Sequence, residues 1–138
     1  MRRYRVGMYI YGHEFFEISR KTKRSPVKSY LLGHALELFL KSFLMKKGTS
    51  IKKLKKTFSH NIDRLLKESL KHDIEDCIHI SDELKADIAS FSKFYSAKHY
   101  EYFPILPWIT SQQLPKTIRL SNFARQLDRK LLAIIKDS

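Results

Sequence analysis

An all-α fold follows from three observations. Glycine and proline number only four each in 138 residues, too few for the tight turns of a sandwich or barrel. Apolar residues recur at three- and four-residue spacing in several windows, the period of a helix buried on one face. One segment, about 26–47, is apolar around most of its circumference and is bounded by clear start and stop signals. With 43% hydrophobic and 12% aromatic residues, the chain can fill one core at the length of one domain, 1–138. The expected architecture is an up-down bundle of four to five helices, with one short extra helix and a Pro/aromatic loop before the last.

A first helix is expected over about 8–23, with Tyr9, Phe16 and Ile18 among its apolar positions and Gly12 weakening it. The basic run Arg20-Lys21-Thr22-Lys23-Arg24 follows. Ser25-Pro26 then reads as an N-cap with proline at the first helical position. The central helix ends at Lys46 and Lys47, whose charges suit a helix C-terminus, with Gly48 at the position past the cap. Its polar residues fall on one narrow stripe at four-residue spacing: Ser29, Gly33, Glu37 and Lys41. Such a helix belongs in the middle of a bundle.

Ser50 is expected to open a short basic helix over 51–56, and Ser59 to cap another over 60–71 that carries Ile62, Leu65, Leu66 and Leu70 on one face. The stretch 72–80 is acidic and irregular. Ser81-Asp82-Glu83 starts a helix with Leu84, Ile88, Phe91 and Tyr95 at 4-3-4 spacing. Pro104, Pro107 and Pro115 make 98–116 an aromatic loop. The last helix, about 117–136, carries Leu120, Phe123, Leu127, Leu131, Ile134 and Ile135.

The net charge of +13 is unevenly placed. Residues 1–58 hold fifteen Lys/Arg against Glu14, Glu17 and Glu37, whereas the remaining eighty are nearly neutral. A concentrated basic surface favours anionic partners. Cys77 is the single cysteine, which suits a cytoplasmic protein. No apolar window is long enough to span a bilayer, so no membrane partner is expected.

The segment Tyr30-Leu31-Leu32-Gly33-His34-Ala35-Leu36-Glu37-Leu38-Phe39-Leu40-Lys41, followed by Leu44 to Gly48 and then Ser59-His60-Asn61-Ile62, resembles the HEPN family of small helical bundles. Phe94-Tyr95 and Lys98-His99-Tyr100-Glu101-Tyr102 look like the Tyr-rich basic segment of many relatives. The resemblance implies a HEPN-like bundle, often found beside nucleotidyltransferases and in toxin–antitoxin pairs.

Ribonuclease members of that family place a His after an Arg with four to six residues between. None of His13, His34, His60, His72, His79 and His99 meets this spacing; Arg5–His13 and Arg64–His72 each miss by one position. Lys28, Lys55, Lys67 and Lys93 precede four of these histidines, but lysine is a point charge and not a planar fork. The resemblance without its catalytic pair implies a module that binds RNA or a partner protein without catalysis of its own, in a defence or toxin–antitoxin setting. No catalytic residue is assigned. The alternatives are a metal-independent ribonuclease with a diverged or dimer-composite site, and a purely protein-interacting subunit.

Lys98, His99, Tyr100 and Tyr102, with Arg24 and Lys28, are the candidate nucleic-acid contacts, since cations interleaved with aromatics hold phosphates and stack bases. Glu37 and Lys41, four apart with the acid first, form a candidate structural ion pair. No cofactor or metal is expected. His72, Cys77 and His79 lack a fourth ligand at zinc-like spacing, and His13 and Glu17 share a helical turn without an evident complement. The partners implied are RNA, a nucleotidyltransferase or antitoxin-type protein, and a second copy in a homodimer.

Overall fold

In the computed structural model the described residues are 2–23, 26–96 and 116–136. They form six α-helices and no strand: α1 (Arg2–Lys21), α2 (Pro26–Lys46), α3 (Ile51–Lys53), α4 (Ile62–Lys71), α5 (Asp82–Ser96) and α6 (Ile118–Ile135). A π-helical turn, Leu54–Phe58, continues α3, and a 3-10 turn, Ile74–Asp76, follows α4. No helix among the described residues is long and apolar enough to cross a membrane.

The spine is α2, about 31 Å long at 1.5 Å per residue. Leu32, Ala35, Leu36, Phe39, Leu40 and Leu44 are fully buried along it. Its polar stripe is buried too: Ser29, Glu37 and Lys41 are each under a tenth exposed. Helices α1, α4 and α6 pack against it, and α5 packs on α4 and α6. The end of α2 is set by Gly48, at φ 103°, a left-handed conformation that costs other residues a Cβ clash. The Gly48 amide donates to the Met45 carbonyl and the Thr49 amide to Leu44, the paired bonds of a Schellman cap.

Three element boundaries differ from those read off the sequence. α1 begins at Arg2 and not near residue 8, because tertiary contacts hold its first turns. Arg5 is buried and its Nε donates to the Ile135 carbonyl at the end of α6, while Ser42 Oγ on α2 donates 2.6 Å to the Arg5 carbonyl. The short basic helix over 51–56 turns π-helical at Leu54, whose side chain, with Phe58, drops into the core. The cap of α4 is Asn61 and not Ser59. Asn61 Oδ1 accepts from the Arg64 amide at 3.0 Å, whereas Ser59 sits at φ 46° in the corner before it. The cap expected at Ser25 and the Pro-rich loop, Lys116 apart, lie outside the described residues.

Gly33 is present because α5 comes close. A methyl group there would overlap the ring of Tyr95. That ring cannot swing away, since its hydroxyl is bonded to Glu37 2.9 Å off. Alanine's better helix propensity, about 1 kcal/mol, therefore loses to overpacking of about 1–3 kcal/mol. Gly33→Ala should lower the urea midpoint and Tm; an unchanged or raised midpoint would show that α5 can retreat.

Candidate functional site

The densest polar cluster in the core surrounds Glu37, which α2 places deep among apolar neighbours at 5% exposure. Three side chains donate to its carboxylate. Lys41 Nζ, one turn along the same helix, is 2.7 Å from Oε2. Tyr95 OH, from α5, is 2.9 Å from Oε1. His60 Nδ1 lies 3.0 Å from Oε1 and 3.1 Å from Oε2, reaching in from the corner between the π turn and α4.

Local chemistry builds that corner. Ser59 holds a positive φ that non-glycine residues adopt at a cost, turning the chain so that His60 faces α2. Two serines of α5 then brace it: Ser92 Oγ accepts from the Asp63 amide and donates to Asn61 Oδ1, and Ser96 Oγ donates to the His60 carbonyl. Beside the network, His34 is enclosed by aromatic rings. Phe15 stacks on it at 5.0 Å, while Tyr30 and Tyr95 meet it edge-on at 4.5 and 5.7 Å.

Burial pushes the Glu37 carboxyl up, but the charge and hydrogen bond of Lys41, and then those of His60, pull it harder the other way. The net result is a value below the ordinary 4.5. An ionised carboxylate with three donors already in place is a poor proton acceptor. A shallow depression of about 170 Å³ beside this corner is lined by Asn61, Asp63, Ala89, Ser92, Lys93 and Ser96. The arrangement fastens α2 to the π-turn corner and α5, and leaves the His60 side chain half exposed.

Among the candidate nucleic-acid contacts, Arg24, Lys98, His99, Tyr100 and Tyr102 lie outside the described residues. Lys28 is described, and its Nζ donates to the Ser19 and Thr22 carbonyls at 2.6 and 3.3 Å, covering the C-terminal end of α1. Tyr95 and His60 join Glu37 without any spacing signal in the sequence, being 58 and 23 residues away.

A family model described as "Spore germination B3/GerAC like, C-terminal" matches residues 9–119. The chain belongs to that family. No curated protein and no solved structure matches. Membership of the GerAC-like family corrects the HEPN resemblance. The correction extends to the functions built on it: the RNA-binding and toxin–antitoxin reading and the ribonuclease alternative. The longest segment of the resemblance, 30–41, has the pattern any helix enclosed on all sides needs, apolar around with one internally paired polar stripe. It reports burial, and burial is common to unrelated bundles.

Glu37→Gln strips Lys41 of its counter-charge in the core and should cost the GerAC-like chain about 3–5 kcal/mol in urea unfolding. Tyr95→Phe should cost about 1 kcal/mol. Because the folded-state value of Glu37 is depressed, its contribution is complete above 4.5 and is lost as pH falls through the folded-state value. A Tm–pH profile should therefore drop in acid, and less steeply in Glu37→Gln. Equal acid slopes would show that Glu37 is not the group being titrated.

Proposed function

We propose that this chain acts in spore germination as a module that works by binding and not by catalysis, and that it pairs with a second copy through the outer face of α1. The germination role rests on the family match over 9–119. The non-catalytic mode is supported by Glu37, whose carboxylate is consumed by structural bonds. A single domain over 1–138 with up-down helices belongs to the same reading, and the short connection 22–25 between α1 and α2 favours antiparallel neighbours. So does a cytoplasmic location, which suits the free thiol of Cys77.

The outer face of α1 supports self-pairing. Tyr4, Tyr11 and Ile18 repeat at seven residues and are 59%, 63% and 53% exposed. Between the tyrosines lies Gly7, at which a Cβ would meet nothing within 4 Å. Arg3, Tyr4, Gly7, Met8 and Tyr11 line a groove of about 430 Å³ there. A mid-helix glycine costs about 1 kcal/mol of helix stability, and no described residue fills the space it leaves.

An antiparallel copy centred near residue 9 would set Tyr11 of each helix against Gly7 of the other. The same register brings Arg3 of each chain to Glu14 of its mate, and Glu14 makes no ion pair among the described residues. Such a contact is self-complementary, as a two-fold interface must be. Parallel pairing would stack arginines on arginines.

Sedimentation equilibrium should find a dimer that Arg3→Glu and Glu14→Arg each dissociate and that the double exchange restores. A monomer at all concentrations, or single variants that remain dimeric, removes the pairing. Spores made without the chain should lose optical density more slowly after a germinant is added; an unchanged rate removes the germination role.

A further inference from the structure

Helix α1 turns a second set of side chains toward α6. Tyr9, His13 and Glu17 succeed one another at one-turn spacing, and α6 sets Asp128 against them. His13 Nδ1 is 2.7 Å from Asp128 Oδ1. One ligand atom each from His13, Glu17 and Asp128 lie within 4.8 Å of one another. This supplies the complement that the shared turn of His13 and Glu17 lacked in the sequence, from 115 residues away.

We propose that His13, Glu17 and Asp128 form a binding site for zinc, clasping α1 to α6. One imidazole nitrogen and two carboxylate oxygens suit a borderline ion, whereas calcium and magnesium take oxygen donors. A tetrahedral shell at zinc–ligand distances near 2.0–2.2 Å separates its donors by roughly 3.4 Å. The His13–Asp128 pair has to open by well under an ångström, and Glu17 to draw in by a side-chain rotation. Three protein ligands leave a fourth position for water, the pattern of an open site.

The surroundings support the ligands as an outer shell does. Tyr9 OH donates to the Asp128 carbonyl at 2.9 Å and approaches Oδ1 at 3.2 Å, while its ring stacks on His13 at 6.2 Å. Arg20 Nη1 holds Glu17 Oε1 at 3.1 Å. Both supporting residues, Tyr9 and Arg20, are on α1.

The test uses the full chain and cobalt(II) or zinc(II) chloride alone. Cobalt should produce visible ligand-field bands of a four-coordinate site, and zinc should displace it with one equivalent and raise Tm. Glu17→Gln, at a partly exposed position, should remove the bands while leaving the helical circular dichroism intact. Tyr9→Phe should weaken zinc by about 10–100-fold, and His79→Gln should change nothing. Absence of bands and of a Tm shift at millimolar cobalt overturns the site. So does an undiminished titration in Glu17→Gln or His13→Gln, which would place the ion elsewhere.

Discussion

A carboxylate buried at the centre of an apolar helix sets the terms for the rest of this molecule. Glu37 sits where an isolated charge would be untenable, so three donors must reach it, and each comes from a different place. Lys41 is on α2 itself. His60 requires the π turn and the positive-φ corner at Ser59, and Tyr95 requires α5 to approach so closely that α2 carries glycine at residue 33. The irregular features of the fold gather around this one group. Remove the demand to satisfy Glu37, and the bulge, the strained corner and the glycine lose their common explanation.

The same network bears on function by what it leaves unavailable. A functional carboxylate near a histidine and a tyrosine can serve acid–base chemistry only if one of the three is free to exchange a proton with a substrate. Here Glu37 is held ionised by Lys41 and His60, and its oxygens are bonded to all three donors. Within the core these bonds tie α2 to α5 and to the corner at His60. Helix α1 presents exposed Tyr4, Tyr11 and Ile18 on its outer side and, on the side toward α6, His13 and Glu17 facing Asp128. One helix serves two surfaces because its 3.6-residue period separates them around its circumference.

The family assignment and the packing speak to different levels. The GerAC-like match covers 9–119, which runs from α1 into the start of α6. The HEPN resemblance was anchored instead on a twelve-residue pattern inside α2, with shorter pieces at 44–48, 59–62 and 94–102. That pattern follows from enclosure: a helix touched by neighbours on every side has to be apolar all round, and any charge it keeps has to be paired. Short motifs drawn from a buried helix thus recur wherever bundles have a central member.

Much of the helical layout was legible in the residues alone. The span of α2, its Schellman end at Gly48, the start of α5 at Ser81 and the apolar stripe of α6 are local properties, set by periodicity and by caps that bond within a turn. The early start of α1, the π turn and the move of the α4 cap from Ser59 to Asn61 were not legible, because partners distant in sequence impose them. The four-residue spacing of Glu37 and Lys41 is visible in the sequence, but His60, Tyr95 and the meeting of His13 with Asp128 are not. Spacing encodes only neighbours on one helix. Contacts 23 to 130 residues apart exist only once the helices have packed, and those contacts decide which side chains form a site.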